Sequence, residues 1–231
     1  MNIPILYEDN HLLVVEKPVN IPVQQDQSRD LDLLTLLKKD LKVRYQKPGN
    51  VFLALVHRLD RPVGGAMVFA KTSKAASRLA DVLRRQKLGR TYVAVVHGKP
   101  SQKKQTLKHF LVKNRRKNIV YTTDVHHKKA KKALLTYDVL SSRKQFSLVK
   151  VELQTGRPHQ IRVQLSAIGH PIFGDQKYGQ HINKRGQQIA LWSHALRFKH
   201  PTKKEIVEIT SYPPKQYPWN LWSLTDNNGN R

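Results

Sequence analysis

Cysteine is absent from this chain of 231 residues, and acidic residues are scarce. Without cysteine the protein cannot form disulfides, iron–sulfur clusters or thiolate zinc sites, and it cannot use a thiol as a nucleophile. Asp and Glu number 16 against 42 Lys and Arg, which gives a formal net charge of +26. Such a field favours polyanionic partners, of which nucleic acid is the commonest.

Membrane-directed segments are also missing. No apolar run approaches the roughly 18–20 residues that span a bilayer, and the opening residues lack the basic and apolar regions of a signal peptide. An anionic membrane surface is the alternative partner, but no basic amphipathic anchor helix is visible. The sequence therefore predicts a soluble, cytoplasmic protein with no membrane partner.

Apolar residues are frequent enough for a folded domain. They make up 39% of the chain, more than a disordered basic tail contains. No internal repeat or long linker is visible, so we predict one domain over residues 1–231, with a frayed tail from about residue 224. No long apolar surface stripe requires a dimer, which favours a monomer.

Periodicity and turn residues predict an α+β fold. Helices are expected over residues 31–45 behind Asp30 or Asp32, after Thr72 or Ser73 up to a cap at Gly89, and from Pro158 to about Gly169. Strands are expected in a hairpin over 5–18 and at 51–59, 66–71, 90–98, 106–112, 118–123, 133–142, 146–155, 189–198 and 205–212. Those between 106 and 155 are expected to form an antiparallel meander. Strands outnumber helices without alternating with them, which is typical of α+β proteins.

Positive charge is concentrated between Lys99 and Lys132. These 34 residues hold twelve Lys and Arg and one acid, a local charge of +11. A solvated lysine-rich face is the ordinary explanation, but charge of this density is costly through self-repulsion unless a polyanion relieves it. We interpret this basic segment as a phosphate-binding surface. Its expected contacts include Lys128, Lys129, Lys131 and Lys132.

Cofactor motifs are absent. The eleven histidines lack the HExxH or paired-carboxylate spacing of a zinc or iron site. Neither GxxxxGK[ST] nor GxGxxG occurs, so the sequence predicts no metal and no nucleotide or other small-molecule cofactor.

An acid stands between two arginines directly after a predicted buried strand. In an extended chain Arg58 and Asp60 point to one side, and His57 and Leu59 to the other. Strand ends that face loops are where sites are usually built. A carboxylate beside fixed cations stays ionised and can act as nucleophile or base. The structural alternative is an Asp–Arg ion pair at a turn.

A second polar segment, LQTGRPHQIR (153–162), leaves a strand and enters the third predicted helix. A helix N-terminus of this kind suits anion binding, and Arg162 lies one turn into it. A plainly capped helix does not need Arg157, His159 and Gln160, so we expect these three side chains to contact phosphate.

Five segments follow one another over nearly the whole chain: EKPVNIPVQ (16–24), HRLD (57–60), TYVAVVHG (91–98), LQTGRPHQIRVQLSAIGHPIFGDQKYG (153–179) and LWSHALRFKHP (191–201). Together they resemble the RluA-type RNA pseudouridine synthases. The resemblance implies a mixed, mostly antiparallel central sheet flanked by a few helices, with a catalytic cleft across the sheet. Asp60 falls on the family's essential aspartate, Tyr92 on its active-site tyrosine, and Arg162 on the arginine that pairs with the aspartate and keeps it ionised.

The implied reaction isomerises specific uridines of structured RNA, ribosomal or transfer, to pseudouridine. The base is detached, rotated and rejoined through carbon, which agrees with the absence of cofactor motifs. The target base must first leave its stack, at a cost of a few kcal/mol. Asp60 would attack either the pyrimidine ring or the sugar carbon. The expected substrate contacts outside the basic segment are Arg58, Arg61, Arg157, His159, Gln160 and Leu165.

Two features depart from the family pattern. Val63-Gly64-Gly65 stands where the family commonly has Thr-Ser-Gly, so two hydroxyls are lost and a more flexible turn is expected. Many relatives carry a small N-terminal RNA-binding domain, and we expect none here, because Leu6-Tyr7-Glu8-Asp9 already belongs to the predicted catalytic domain. RNA affinity is therefore expected to come from the catalytic domain and its basic segment.

Two other functions fit the charge less well. A non-catalytic RNA-binding protein has no use for Asp60, because a carboxylate beside the RNA repels phosphate. A basic nuclease lacks metal-binding carboxylates and a histidine pair at suitable spacing.

Overall fold

The computed structural model describes residues 2–224, and residues 225–231, where the sequence predicts a frayed tail, lie outside them. The described chain forms two compact units. Residues 2–90 with 193–211 are called the first unit, and residues 91–192 with 212–224 the second unit. A single domain over residues 1–231 stays a prediction.

Eleven strands and three α-helices lie within residues 2–224, and the α+β class is confirmed. In chain order they are β1 (Ile5–Glu8), β2 (Leu12–Lys17), α1 (Leu33–Arg44), β3 (Ala54–Leu55), β4 (Gly64–Ala70), α2 (Ser73–Arg84), β5 (Gly89–His97), β6 (Lys104–Asn114), β7 (Ile119–Thr123), β8 (Lys131–Arg143), β9 (Phe146–Leu153), α3 (Gln160–Ala167), β10 (Leu191–Lys199) and β11 (Ile206–Thr210). No helix in this part of the chain is long and apolar enough to cross a membrane.

The first unit is built on a sheet with β2 and β4 at its centre. The strand order is β1-β2-β4-β10, with β3 also pairing with β4 and β11 with β10. The predicted β1–β2 hairpin is confirmed and antiparallel. α2 packs on this sheet through Ala75 and Leu79, against a core that includes Val14, Val68 and Leu196.

Both helices predicted for the first unit are confirmed, and their N-terminal caps are the residue types that the sequence indicates. Asp32 Oδ1 accepts the N–H of Thr35 at 3.0 Å, and Thr72 Oγ1 accepts the N–H of Ala75 at 3.2 Å. Each cap satisfies a backbone donor that has no partner inside its helix. Leucines 33, 37 and 41 form the buried stripe of α1.

The C-terminal cap predicted at Gly89 is wrong. α2 ends at Arg84, and Gln86 takes the left-handed conformation with φ 58°. The Gln86 N–H donates to the Leu83 carbonyl at 3.0 Å, so the last turn closes before Gly89 is reached. Gly89 begins β5 instead, where a Cβ would lie 3.1 Å from the carbonyl oxygen of Arg197.

The strand predicted over residues 51–59 is mostly wrong, because only Ala54–Leu55 pair with β4. Beyond Leu55 a side chain replaces the backbone partner: the Val68 N–H of β4 donates to Nε2 of His57 at 3.2 Å. The main chain is thereby released from the sheet and can turn back at residues 60–63.

The second unit is built on an antiparallel sheet of order β5-β9-β8-β6-β7. Its strands lie where the sequence predicts them, but the simple meander is wrong. β8 returns on the opposite side of β6 from β7, so that Phe110 pairs with both Thr123 and Lys132. The basic segment therefore comprises the approach to β6, then β6, β7 and the first residues of β8.

α3 covers one face of β6, β7 and β8, where Val163 packs with Leu111, Val120 and Ala133. This helix begins at Gln160 rather than at the predicted Pro158. His159 adopts the left-handed conformation with φ 52°, so the helix cannot start before it.

Candidate active site

Asp60 lies half-buried in a turn between β3 and β4. Its carbonyl oxygen accepts the N–H of Val63 at 3.0 Å. Burial alternates along the preceding residues as an extended chain requires: His57 and Leu59 are buried and Arg58 is exposed. The two buried side chains anchor the segment that carries the carboxylate.

Lys17, which the sequence patterns did not single out, holds this turn. Its side chain is fully buried, and Nζ donates to the carbonyl oxygens of Pro18 at 2.8 Å, Arg61 at 3.0 Å and Val63 at 2.8 Å. Burial lowers the pKa of Lys17 to about 7, against the raising effect of Asp60. Three acceptors match the three hydrogens of an ammonium group. Lys17 therefore fixes the backbone that follows Asp60.

Backbone contacts also fix Val63 and Gly65, which flank Gly64 in the segment where two hydroxyls of the family pattern are lost. Gly65 has φ 113°, and a Cβ there would lie 2.3 Å from the carbonyl oxygen of Ser193, so only glycine fits. Val63 is buried, and its carbonyl is bound by Lys17. Main-chain bonds thus fix this turn without the two hydroxyls.

Arg61 is bound by partners of the first unit. Nη2 forms an ion pair with the carboxylate of Asp30, Nη1 donates to Ser28 Oγ at 3.1 Å, and Nε donates to the Asn20 carbonyl at 3.2 Å. These contacts connect the Asp60 turn to the chain before α1. Contact of Arg58 and Arg61 with RNA stays a prediction.

His57 is a buried, neutral support for the same turn. Burial lowers the pKa of His57 to about 3, and the charge of Arg90 also lowers it. An unfolded histidine titrates near 6.5, so between pH 3 and 6.5 the unfolded chain binds one more proton than the folded chain. This group's contribution to stability is therefore present above pH 6.5 and is lost as the pH falls, by about 1.4 kcal/mol per unit.

We expect His57→Gln to remove this pH dependence, because glutamine keeps an acceptor for the Val68 N–H and does not titrate. From pH 8 to pH 5 the wild type should lose about 2 kcal/mol more unfolding free energy than the variant. Urea unfolding at the two pH values measures this. His126→Gln, at an exposed histidine between β7 and β8, should behave as wild type. Equal losses in wild type and His57→Gln would show that His57 is not buried in neutral form.

Tyr92 is buried on β5 of the second unit, with 5% of its surface exposed. It pairs with Val151 of β9, which in turn pairs with Tyr137 of β8, so the three side chains share one face of the sheet. The regular strands on both sides of it hold the aromatic ring in place. Contact of Tyr92 with a base stays a prediction.

Arg162 is oriented by a buried partner in the second unit. Its Nε donates to Asp175 Oδ2 and its Nη2 to Oδ1, both at 2.8 Å. The N–H groups of Lys177 and Tyr178 also donate to Oδ1, at 2.9 and 3.1 Å. Burial raises the pKa of Asp175, but Arg162 and these N–H groups outweigh it, and the pKa lies below its usual value. The two-pronged contact fixes the plane of the guanidinium.

Tyr178 covers the face of that guanidinium. Arg162 Cζ lies 5.3 Å from the centroid of the Tyr178 ring. The Tyr178 hydroxyl accepts the N–H of Val120 at 2.8 Å and lies 2.7 Å from Nδ1 of His159. Tyr178 therefore joins β7 of the basic segment to the start of α3.

Gln160 and Leu165, two of the expected substrate contacts, are buried. Gln160 Oε1 accepts from Thr155 Oγ1 at 2.8 Å and from the Arg157 N–H at 2.9 Å, and Nε2 donates to the Leu134 carbonyl at 3.0 Å. These bonds hold the turn before α3 against β8. Contact of Arg157, Gln160 and Leu165 with RNA stays a prediction.

Residues 11–167 match the family described as RNA pseudouridylate synthase. The chain belongs to this family. It is 34% identical over 213 residues to the uncharacterized RNA pseudouridine synthase YhcT of Bacillus subtilis (strain 168), covering 88% of this chain and 66% of that protein. It is 32% identical over 216 residues to ribosomal large subunit pseudouridine synthase C of Buchnera aphidicola subsp. Acyrthosiphon pisum (strain APS), covering 89% and 65%. The chain thus spans just under two thirds of these relatives.

Solved structures confirm the fold of this pseudouridylate synthase family member. Human RNA pseudouridylate synthase domain containing 1 superposes with a TM-score of 0.74 at 27% identity, covering 93% of this chain and 84% of that one. Human RNA pseudouridylate synthase domain containing 4 gives a TM-score of 0.78 at 24% identity, covering 92% and 89%.

Two charged residues of this synthase-family chain were missed from sequence. Asp175 stands in a loop whose glycines and proline predict a structural role only. Lys17 lies in the segment EKPVNIPVQ, which was noted only because it resembles a motif of the family. The one sequence signal for both is that each is a charged residue inside a family motif, and that signal does not show that the side chain is buried. Within residues 2–224 no cluster of His, Asp and Glu could hold a metal ion.

Proposed function

We propose that this protein isomerises uridine in RNA to pseudouridine, with Asp60 as the nucleophile. The observation that carries the proposal is the buried side chain of Lys17, whose Nζ donates to the backbone of the Asp60 turn in a chain of the pseudouridylate synthase family. Burying a charge is costly unless it is fully hydrogen-bonded. Its use at this turn supports a carboxylate whose position matters.

The other site residues take roles that suit their surroundings. Tyr92 offers a rigid ring for the extruded base and a phenol that handles a proton. Arg162, oriented by Asp175, keeps the nucleophile ionised. Arg58 is exposed and takes the space that the base leaves, or holds its phosphate. Asp60 attacks either the pyrimidine ring or the sugar carbon, and both routes use the same residues.

The proposed substrate is a structured RNA in the cytoplasm. One relative is named as a ribosomal large subunit synthase, which supports ribosomal RNA, and transfer RNA is the second candidate. The test is to map pseudouridine in total RNA from cells with and without this protein, and in the same RNA treated with the purified chain. The proposal requires at least one uridine that is converted in both. If no uridine changes in either, it is wrong.

The basic segment is proposed to bind the phosphate backbone. All twelve of its Lys and Arg residues are exposed. Reversing Lys128, Lys129, Lys131 and Lys132 to Glu is expected to flatten the dependence of log affinity on log salt by about 0.7–0.9 for each phosphate that these lysines bind. The rate at saturating RNA should change less than about twofold, because no reacting atom is touched.

A matched control separates local contact from the field of the whole protein. Four exposed lysines of the first unit, Lys39, Lys42, Lys74 and Lys87, give the same change of net charge when they are reversed. This control is expected to leave most of the salt dependence in place. If log affinity depends on log salt with the same slope in the two quadruple variants, the basic segment is only a solvated face and does not bind RNA phosphates.

A further inference from the structure

The basic segment has a face that the catalytic proposal does not use. Leu111 and Val120 point toward α3, where they pack with Val163. Neighbouring residues of a strand point to opposite faces, so Phe110, Val112 and Tyr121 lie on the face away from α3. We call this side of β6, β7 and the first residues of β8 the outer face.

Register brings aromatic and basic residues together on the outer face. Tyr121 lies opposite Val112, and Phe110 lies opposite Lys132. Lys108 is two residues before Phe110 on the same strand and therefore shares this face. Both lysines are exposed.

The aromatic residues of the basic segment are not scattered. Residues 99–132 contain two, Phe110 and Tyr121, and both lie on the outer face. Tyr121 is 44% exposed, although the residue before it on the same strand, Val120, is buried against α3. A single exposed aromatic on a protein surface is ordinary. Two aromatic residues on one face of the most cationic stretch of the chain are not expected by the same argument.

We propose that the outer face binds an unpaired segment of the RNA substrate, with one base stacked on Tyr121 and phosphates held by Lys108 and Lys132. This inference rests on the proposed function, since it names the kind of RNA that the basic segment receives. An antiparallel sheet with helices on one face and aromatics on the other is a known platform for single-stranded RNA. Base stacking on an aromatic ring contributes independently of sequence.

Charge complementarity favours RNA as the occupant. The acids on this side of the sheet lie at the far end of β8 and β9, where Asp138 is 3.6 Å from Lys104 and Glu152 is 3.2 Å from Lys150. Each acid there has a lysine partner, so the outer face keeps its positive sign around Tyr121. The single acid of the segment, Asp124, follows β7 in the turn.

The test is binding of the purified full chain to a labelled single-stranded oligouridine of about ten nucleotides, within the usual site size. Tyr121→Ala should weaken this binding by about 5-fold to 100-fold, the range for loss of one stacked base. Tyr121→Phe should stay within about twofold of wild type, because the ring is retained. The slope against salt should not change in either variant, since every phosphate-binding lysine is retained.

Controls separate stacking from other causes. Thr122→Ala, at the exposed neighbour whose side chain points to the other face, should bind as wild type. A fully paired RNA of the same length should bind wild type and Tyr121→Ala equally, because its bases are not available to stack. With an RNA substrate in which the protein converts a uridine to pseudouridine, Tyr121→Ala should raise KM and leave kcat unchanged.

Several results would overturn the inference. They are wild-type affinity of Tyr121→Ala for oligouridine, failure of Tyr121→Phe to retain binding, and an equal loss on single-stranded and paired RNA. Binding to oligouridine requires no isomerisation, so these outcomes are independent of whether pseudouridine is formed. Absence of pseudouridine in every RNA tested would defeat the proposed function and leave the binding result standing.

Discussion

Asp60→Asn is expected to abolish pseudouridine formation and to leave RNA affinity within a few-fold of wild type. Asparagine keeps the shape of the side chain and removes the charge that is proposed to attack the uridine. Loss of a nucleophile typically costs a factor of about 10⁴ or more in the chemical step. Single-turnover conversion with enzyme in excess over RNA measures this step, and anisotropy with the same RNA measures binding.

Asp40→Asn supplies the matched control for that experiment. Asp40 is a surface carboxylate on α1 that pairs with Arg44, and it makes the same change of charge and shape when replaced. We expect wild-type conversion from this variant. Pseudouridine formed by Asp60→Asn at a rate within about tenfold of wild type would remove Asp60 from the mechanism.

Signals confined to a short stretch of chain predicted much of the fold. The caps at Asp32 and Thr72, and the buried leucines of α1, depend on residues three or four positions apart. The β1–β2 hairpin depends on one turn. In each case the interacting groups are close in sequence, so composition and spacing are sufficient to predict them.

The errors in the strands came from partners farther along the chain, and the errors at the helix ends from single residues in left-handed conformations. Residues 51–59 have the composition of a strand, but His57 ends the pairing by accepting a backbone N–H from Val68, eleven residues away. The meander failed because β8 could pair with either neighbour in the hairpin, and apolar spacing does not decide between them. The start of α3 lies at Gln160 rather than at the predicted Pro158 because His159 takes a left-handed conformation. Histidine as a residue type does not predict that conformation.

The candidate site shows the same division. Asp60, Tyr92 and Arg162 are predicted from motifs, because each motif keeps its residue at a fixed place in the pattern, and their catalytic roles stay predictions. Lys17 was missed because its three carbonyl partners include two from a turn more than forty residues away. A lysine at the end of a strand is usually exposed, and only the fold shows that this one is buried.

Arg162→Ala is expected to have the second largest effect. It leaves the buried carboxylate of Asp175 without its charged partner, which costs about 3–5 kcal/mol of unfolding free energy. In the proposed mechanism it also removes the charge that keeps Asp60 ionised. Conversion should fall close to the level of Asp60→Asn. Arg162→Lys should recover only part of the activity, because lysine offers a point charge in place of a planar fork.

Asp175→Asn tests whether orientation of the guanidinium matters by itself. The variant keeps Arg162 and its charge and weakens the contact that fixes its plane. A misplacement of about 1 Å can cost 10²-fold in rate, so we expect kcat to fall by about that factor while RNA affinity stays near wild type. Unchanged kcat would show that Asp175 contributes only to stability.

A double variant separates a catalytic role of Arg162 from a structural one. Replacing a buried ion pair by apolar residues of similar volume is often neutral for stability, so Arg162→Met combined with Asp175→Leu should restore much of the unfolding free energy that Arg162→Ala loses. If Arg162 served only to neutralise Asp175, activity would return together with stability. Because its charge is proposed to act on the nucleophile, we expect a stable protein that binds RNA and forms no pseudouridine. Urea unfolding and single-turnover conversion on the same preparation decide between the two outcomes.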